Sequence, residues 1–339
     1  MLEYEKYMSR CLQLAKIGEY YVAPNPMVGA VLVNQEGKIL AEGWHKIYGS
    51  AHAEVNCFLD YEEHYSNPIP KESTLFVSLE PCSHYGKTPP CADLIISKGI
   101  KKVVVGCLDP NPLVAGKGIE KLKNAGIEVI SGILEKECRE LNKRFFCLQE
   151  KHRPYIILKW AQTADGFLDY TRTIGSQTSP LVISTEVTKQ LVHKMRAENM
   201  SILIGSGTAL LDDPKLLTTR WSGRNPIRIL LDRRKRVPTD ARIFSNDAQT
   251  IVYSDNTEWE FVIKDLASRG IHSVLVEGGA NVLNHIINSG IYDEIHIEVN
   301  PRLSIGVGVA APKISLTNSQ FEEIDGNQLY TLLNFNSKQ

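Results

Sequence analysis

The sequence predicts an α/β protein of two domains, and three observations carry that prediction. Short apolar runs fit for buried strands, such as residues 75–79 and 274–276, alternate with amphipathic stretches at helical spacing. The chain has 339 residues, long for one core and comfortable for two. A polar, proline-marked stretch, Lys151-His152-Arg153-Pro154, reads as the linker, so the expected domains are residues 1–149 and 150–339.

Taken in order, Tyr7, Met8, Cys11, Leu14 and Ala15 repeat near helical spacing and predict a helix over residues 4–17, ended by Gly18. The turn Ala23-Pro24-Asn25-Pro26-Met27-Val28-Gly29 then enters a strand over 28–33. A hairpin turn at 35–38 returns the chain as a partner strand over 39–45. His52 opens a helix over 53–59. A buried strand over 75–79 ends at Glu80-Pro81, with Cys82 at its exit. Pro89-Pro90-Cys91 starts another helix, proline being suited to a first turn. A strand over 101–105, the loop Asp109-Pro110-Asn111-Pro112, a helix over 118–125, a strand over 127–130 and a charged helix over 134–149 complete an α/β/α unit.

The chemistry of this half lies between residues 51 and 93. His52, Cys82 and Cys91 offer one imidazole and two thiolates, a set that suits tetrahedral zinc with its fourth position open. Glu54 follows His52 by two residues on a helix and points to a different side, a poor second ligand but within reach of a water on the metal. A structural zinc site is the competing reading and needs a fourth ligand, for which Cys57, His84 and Cys107 are the nearby candidates. Three ligands beside a carboxylate favour a hydrolytic centre, with Glu54 as general base and then acid. A cysteine at a helix start, as Cys91 is, is also biased toward thiolate.

His-x-Glu followed by Pro-Cys and a second Cys is the pattern of zinc-dependent nucleobase deaminases, except that eight residues separate the cysteines here rather than two. With its insertion Ser83-His84-Tyr85-Gly86-Lys87-Thr88-Pro89-Pro90, the segment resembles the deaminase half of the bifunctional riboflavin-biosynthesis deaminase/reductase family. Pro24-Asn25-Pro26 with Val28-Gly29, and Asp109-Pro110-Asn111-Pro112, are similar to segments of that family. The resemblance implies a cytidine-deaminase-like α/β/α domain acting on a diaminopyrimidinone ribosyl phosphate. It also implies that Asn25, His45, His84, Lys87, Asp109 and Asn111 line the pyrimidine or phosphate side of the pocket. Taken alone, Asn25 is a turn residue, His45 a strand-end histidine and Lys87 a solvated loop cation.

The second half predicts a strand over 155–160, a turn at 162–166 and a helix over 185–198. Two strand-to-glycine junctions follow. Residues 202–204 run into Gly205-Ser206-Gly207-Thr208, and 274–276 run into Glu277-Gly278-Gly279-Ala280-Asn281 and a helix through 287. Both are shaped to set backbone N–H groups against an anion. The first lacks the third glycine of the dinucleotide fingerprint, so a Rossmann unit is not predicted.

Leu158-Lys159 with Asp165-Gly166, Arg196-Ala197, Gly207-Thr208-Ala209 with Asp212-Asp213-Pro214, residues 228–232, and Glu277-Gly278-Gly279 resemble the reductase half of the same family. That resemblance implies a dihydrofolate-reductase-like α/β domain using NADPH. Ala161, Thr208, Asp212, Gly279, Ala280, Asn281, Val282 and Leu283 would hold the cofactor; Arg196, Leu216, Arg220 and Glu277 would hold the substrate. Arginine suits a phosphate as a permanently charged bidentate donor. Arg233 is a candidate for the 2′-phosphate, against the plainer reading of Arg233-Arg234-Lys235-Arg236 as a solvated face. Residues 171–184 depart from the family, with Val182-Ile183-Ser184 where Trp-Ile-Thr is usual. An aromatic cofactor contact is thereby missing and the segment reads as a lid. The alternative function is a deaminase whose second domain is not an active reductase.

A formal net charge of −1 argues for neither a nucleic-acid surface nor an anionic membrane partner. No apolar run approaches the length of a membrane span, and the first residues lack the pattern of a signal peptide. Seven scattered cysteines fit a reducing cytoplasm better than a disulfide framework. The expected partner is a phosphorylated pyrimidine, and the family resemblance implies a homo-oligomer, a dimer or tetramer.

Overall fold

The structure is a computed structural model that describes residues 2–83, 89–111, 115–175 and 178–334. The chain folds as two units, Met1–Lys151 and His152–Gln339. In the first, α1 (Leu2–Ile17) leads into the strands β1 (Gly29–Val33) and β2 (Ile39–Trp44), followed by α2 (Ala53–His64) and β3 (Thr74–Leu79). Then come α3 (Cys91–Ser97), β4 (Lys102–Cys107), α4 (Lys117–Asn124), β5 (Glu128–Ser131), α5 (Glu135–Leu141) and α6 (Lys143–Lys151). The sheet order is β2-β1-β3-β4-β5, with β1 antiparallel to both neighbours and β3, β4 and β5 parallel.

Alternation along the strands assigns the faces. Ala30, Leu32, Leu75, Val77, Val103 and Val105 pack with Phe58, Ile95 and Leu122 of α2, α3 and α4. Val31, Val33, Phe76 and Val104 pack with Met8, Cys138 and Phe146 of α1, α5 and α6. Gly43 allows α2 to lie close on β2, since a Cβ there would stand 2.2 Å from the Cys57 nitrogen.

One expectation is corrected here. The single helix expected over 134–149 is two helices parted at Asn142, whose φ of −106° leaves the helical region. Asn142 is buried; its Oδ1 accepts from Met27 N at 2.8 Å and its Nδ2 donates to Met27 O at 2.8 Å. The amide thus satisfies the backbone just ahead of β1, a long-range demand that local propensity does not contain. The boundary between the two units falls inside the expected linker, between Lys151 and His152. α6 runs to Lys151, and Arg153 is buried and forked onto Asp293 at 2.6 and 2.8 Å. Composition does not distinguish a polar linker from a buried ion pair.

In the second unit β6 (Tyr155–Thr163), β7 (Phe167–Asp169), α7 (Glu186–Glu198), β8 (Ser201–Gly205), α8 (Ser206–Asp212), β9 (Ile227–Leu231) and β10 (Thr250–Tyr253) come first. They are followed by α9 (Trp259–Ser268), β11 (Ser273–Gly278), α10 (Ala280–Ser289), β12 (Glu294–Asn300), β13 (Val309–Ala310), β14 (Gln320–Ile324) and β15 (Asn327–Leu333). The main sheet has the order β10-β9-β8-β11-β6-β12-β15-β14. Its first six strands are parallel, and β15 and β14 continue it antiparallel. One face, with Ile156, Leu158, Leu203, Ile229, Val274 and Val276, is covered by α9 and α10 through Trp259, Leu266, Leu283 and Ile286. Ile202, Ile204 and Leu230 point the other way and pack with Ala209 of α8. Interior parallel strands buried on both faces read as continuous apolar runs, which is why β8 and β11 were visible in the sequence.

Replacing Asn142 by Ala strips two hydrogen bonds from the Met27 backbone and should cost the first unit about 2 kcal/mol. Denaturant unfolding followed separately for the two units checks this; a midpoint unchanged in the first unit would show that Asn142 does not hold the helix break.

Candidate functional site

The metal-binding residues come from three elements. His52 is the N-cap residue of α2, in extended backbone, and makes no side-chain cap bond, so its ring is free for another partner. Cys82 follows the exit of β3, and Cys91 is the first residue of α3. His52 Nδ1 lies 3.3 Å from Cys91 Sγ and 3.7 Å from Cys82 Sγ, and Cys91 N donates to Cys82 Sγ at 3.3 Å. All three ligand atoms lie within 4.8 Å of one another. Ligands of a tetrahedral zinc stand about 3.5–3.8 Å apart, so both spacing and donor types fit that ion.

The hydrogen bond from the Cys91 thiol, with His52 assisting, brings Cys82 down to about 4, while the same contact and burial push Cys91 up. The pair keeps one proton between them, and a bound cation displaces it. Cys57 and Cys107, two of the possible fourth ligands, are buried in the two cores flanking the sheet and are not in the group. His84 and Lys87 lie outside the described residues.

Glu54 is buried at the start of α2 and is electrostatically coupled to Cys82, His52 and Cys91. Burial, then the Cys82 charge, push its carboxyl up to about 7, near the working range of a proton-transfer group. Asn25 and His45 come together beside His52. His45 Nδ1 donates to Ala51 O at 3.0 Å, leaving Nε2 to accept from Asn25 Nδ2 at 3.2 Å. Its ring stands edge-on to His52, with centroids 5.6 Å apart. Burial holds the His45 imidazole below its ordinary value, which preserves the neutral tautomer those two bonds require. The Asn25 amide is thereby oriented. Asp109 Oδ1 accepts from Asn111 N at 2.8 Å in the loop after β4. Glu80, a buried carboxylate at the end of β3 that no motif singled out, also reaches this loop.

In the second unit a cleft of 730 Å³ opens among β6, β8 and β11, at carboxyl ends of parallel strands, the ordinary ligand position of such sheets. Pairing of β8 with β11 brings the two glycine junctions together. A Cβ on Gly205 would stand 2.8 Å from Val282, and one on Gly279 would stand 3.1 Å from Thr208 Oγ1. Ala161, Thr208, Asp212, Gly279, Ala280, Asn281, Val282 and Leu283 all line the cleft, as do Arg196, Arg220 and Glu277. Leu216 does not: its side chain is packed with Ile202, Ile204, Leu230 and Ile243 beneath the sheet.

Arg196 and Glu277 are one unit, not two separate contacts. Nε donates to Oε1 at 2.9 Å and Nη2 to Oε2 at 2.6 Å, and Nη1 donates to Leu217 O at 3.1 Å. Burial pushes the Glu277 carboxyl up, but Arg196 outweighs it and holds the group below the ordinary value. Asp212 accepts from Arg172, which also donates to Asp169 Oδ2 at 2.7 Å. Arg220 pairs with Glu186. Lys159 lines the same cleft, its ammonium lowered by burial against the opposing pull of Glu298.

Residues 180–184, expected as a lid, form one wall of the cleft. Leu181 N donates to Asp169 Oδ1 at 2.8 Å, Ile183 O accepts from Asn300 and Asn327 at 3.2 and 3.1 Å, and Ser184 Oγ donates to Glu298 Oε2 at 2.6 Å. Beside the cleft, a 240 Å³ cavity is lined by Arg233, Arg234, Arg236 and His285 and shares Ser206, Asn281 and Val282 with it.

These two sites agree with what is known of similar chains. Residues 1–107 match the cytidine and deoxycytidylate deaminase zinc-binding region, and residues 154–331 match the RibD C-terminal domain. The riboflavin biosynthesis protein RibD of Aquifex aeolicus is 41% identical over 329 residues, covering 90% of this chain and 89% of that protein. The chain belongs to the RibD family. The Escherichia coli RibD is 34% identical over 334 residues, covering 88% of each chain. Among solved structures, the diaminohydroxyphosphoribosylaminopyrimidine deaminase/5-amino-6-(5-phosphoribosylamino)uracil reductase of Thermotoga maritima superposes with a TM-score of 0.86 at 35% identity, covering 98% of this chain and 99% of that one. Acinetobacter baumannii RibD does so with a TM-score of 0.84 at 31% identity, again over 98% and 99%.

The expected fold therefore stands: a cytidine-deaminase-like α/β unit followed by the α/β reductase unit of RibD. As a member of the RibD family the chain is a deaminase and reductase of riboflavin biosynthesis, zinc serving the first activity and NADPH the second. Nothing among the described residues favours the alternative of an inactive second unit. No described helix is long and apolar enough to cross a membrane.

Glu277→Gln leaves the half-buried Arg196 guanidinium without its counter-charge and should cost the second unit about 2 kcal/mol. Because the Glu277 carboxyl is held below its unfolded value, the pair contributes fully above the ordinary carboxylate range and is lost only as pH falls through the lowered one. Thermal unfolding of wild type and variant across that acid range checks both; a variant as stable as wild type at neutral pH would rule out a stabilising pair.

Proposed function

We propose that residues 1–149 carry hydrolytic deamination of 2,5-diamino-6-ribosylamino-4(3H)-pyrimidinone 5′-phosphate. Residues 150–339 then carry NADPH-dependent reduction of the ribosyl side chain of 5-amino-6-(5-phosphoribosylamino)uracil to ribityl. The observation that carries the first step is the buried Glu54 carboxyl beside the His52, Cys82 and Cys91 ligand set. Zinc held there supplies a Lewis acid that activates water toward the amino-bearing ring carbon. Glu54 takes the proton from that water and returns it to the departing amine, so that ammonia leaves. Asn25, held by His45, offers its amide to the pyrimidine edge. His45, Asp109 and Asn111, with His84 and Lys87, complete the substrate side of this reading.

In the second unit NADPH supplies the hydride. The chain's own work is to hold the nicotinamide close to the opened sugar carbon and to exclude water. Gly279, Ala280, Asn281, Val282 and Leu283 start α10 and offer backbone N–H groups to the pyrophosphate, with Ala161, Thr208 and Asp212 along the same cleft. The Arg196–Glu277 fork presents a fixed polar edge to the uracil, and Arg220 supplies a cation for the substrate phosphate. The neighbouring cavity with Arg233, Arg234 and Arg236 suits the 2′-phosphate; none of these three has a carboxylate partner among the described residues. A homo-oligomer, dimer or tetramer, in a reducing cytoplasm is part of the same proposal, supported by the family resemblance and by seven free cysteines.

The reading is tested by supplying the diaminopyrimidinone phosphate and following ammonia and NADPH absorbance in one tube. Both should change, and ammonia without NADPH loss would remove the reductase half. Glu54→Gln should abolish ammonia release while zinc remains bound, by about a hundredfold or more; full activity in that variant would assign the zinc a structural role. Arg233→Glu with Arg236→Glu should weaken NADPH binding by about tenfold or more and leave NADH binding unchanged, read by nicotinamide fluorescence. Equal weakening of both cofactors would place the 2′-phosphate elsewhere.

A further inference from the structure

Glu80 is charged, 4% exposed and absent from the proposed chemistry. It sits between the last residue of β3 and Pro81, two positions before the ligand Cys82. A carboxylate withdrawn from water needs a full set of donors, and among the described residues those that bond it are backbone N–H groups of one distant segment. Oε2 accepts from Asp109 N at 3.3 Å and from Gly116 N at 2.9 Å, the two shoulders of the loop after β4. Oε1 accepts from Gly118 N at 2.9 Å and Ile119 N at 3.3 Å, in the first turn of α4. α4 has no side-chain cap of its own, since Gly116 occupies its N-cap position, so Glu80 satisfies those orphan donors from another element. A second, independent contact fixes the same approach: a Cβ on Gly118 would stand 2.0 Å from the Pro81 carbonyl oxygen. The arm that carries Cys82 and the segment that carries Asp109 and Asn111 are therefore clamped to each other.

We propose that Glu80 is a positioning residue of the deaminase, setting the Asp109–Asn111 substrate loop at its working distance from the metal arm. The proposal rests on the deaminase reading above. Glu80 takes no part in proton transfer. Its carboxylate holds Asp109 through the backbone, and a misplacement on the order of 1 Å in a substrate contact costs up to about a hundredfold.

The test is Glu80→Gln, which keeps the shape of the side chain but sets an NH₂ group against two of the four N–H donors. KM for the diaminopyrimidinone phosphate should rise by about tenfold or more, with one zinc per chain retained. Reductase activity on the deaminated substrate should be unchanged. A role confined to stability would lower the unfolding temperature and leave KM of the zinc-loaded protein alone. Glu80→Asp, which keeps the charge but retracts it by one methylene, carries the same test should Glu80→Gln not fold. Zinc loss, or a KM within about twofold of wild type, overturns the proposal. Absence of ammonia release from the wild-type enzyme would instead overturn the deaminase reading itself.

Discussion

A carboxylate placed where a buried strand ends loses most of its water, and both sites of this protein are arranged around that constraint. In the first unit Glu80 follows the fully buried end of β3 and takes four backbone N–H groups from a segment nearly thirty residues or more away. In the second, Glu277 stands near the end of β11 and takes the Arg196 fork. The two solutions differ in kind. Backbone donors bind a loop and a helix start into place; a guanidinium binds α7 to the sheet and leaves a preset polar edge facing the cleft.

The metal centre depends on the same economy of positions. His52 is free to bind a metal because it stands at the N-cap position without making a cap bond, and α2 reaches its place because Gly43 lets helix and strand touch. Glu54 is two residues on, buried, and raised toward neutrality by that burial and by Cys82. The neutral His45 links this centre to Asn25 through two hydrogen bonds that fix both its tautomer and the direction of the amide. His52, Glu54, His45 and Asn25 are thus held in place by their own neighbours in the first unit.

The cleft of the second unit is built by strand adjacency. β8 and β11 are separated by about seventy residues in sequence and paired in the sheet, so two glycine junctions that are individually weak signals become one surface. The departing stretch at 180–184 forms a wall tied to Asp169, Glu298, Asn300 and Asn327. Arg172, earlier in the same 171–184 departure from the family, engages Asp212.

The His52, Cys82 and Cys91 set was legible in the sequence because metal chemistry constrains residue type and local order, and a spacing pattern records both. Interior strands such as β4, β8 and β11 were legible because burial on both faces favours apolar residues, whereas the exposed or short β7, β13 and β14 carry no such run. Asn142, Arg153 and Glu80 were not legible, since each is a polar residue whose burial depends on partners remote in the chain: Met27, Asp293, and the loop 109–119. The packing of the Leu216 side chain beneath the sheet was not legible for a related reason, since its neighbours are remote in the chain. By itself the sequence determined the two α/β units and the kinds of chemistry at their strand ends, because those follow from periodicity and donor type. Only the tertiary structure decided which polar groups pair, because hydrogen bonds and ion pairs between distant segments leave no period in the chain.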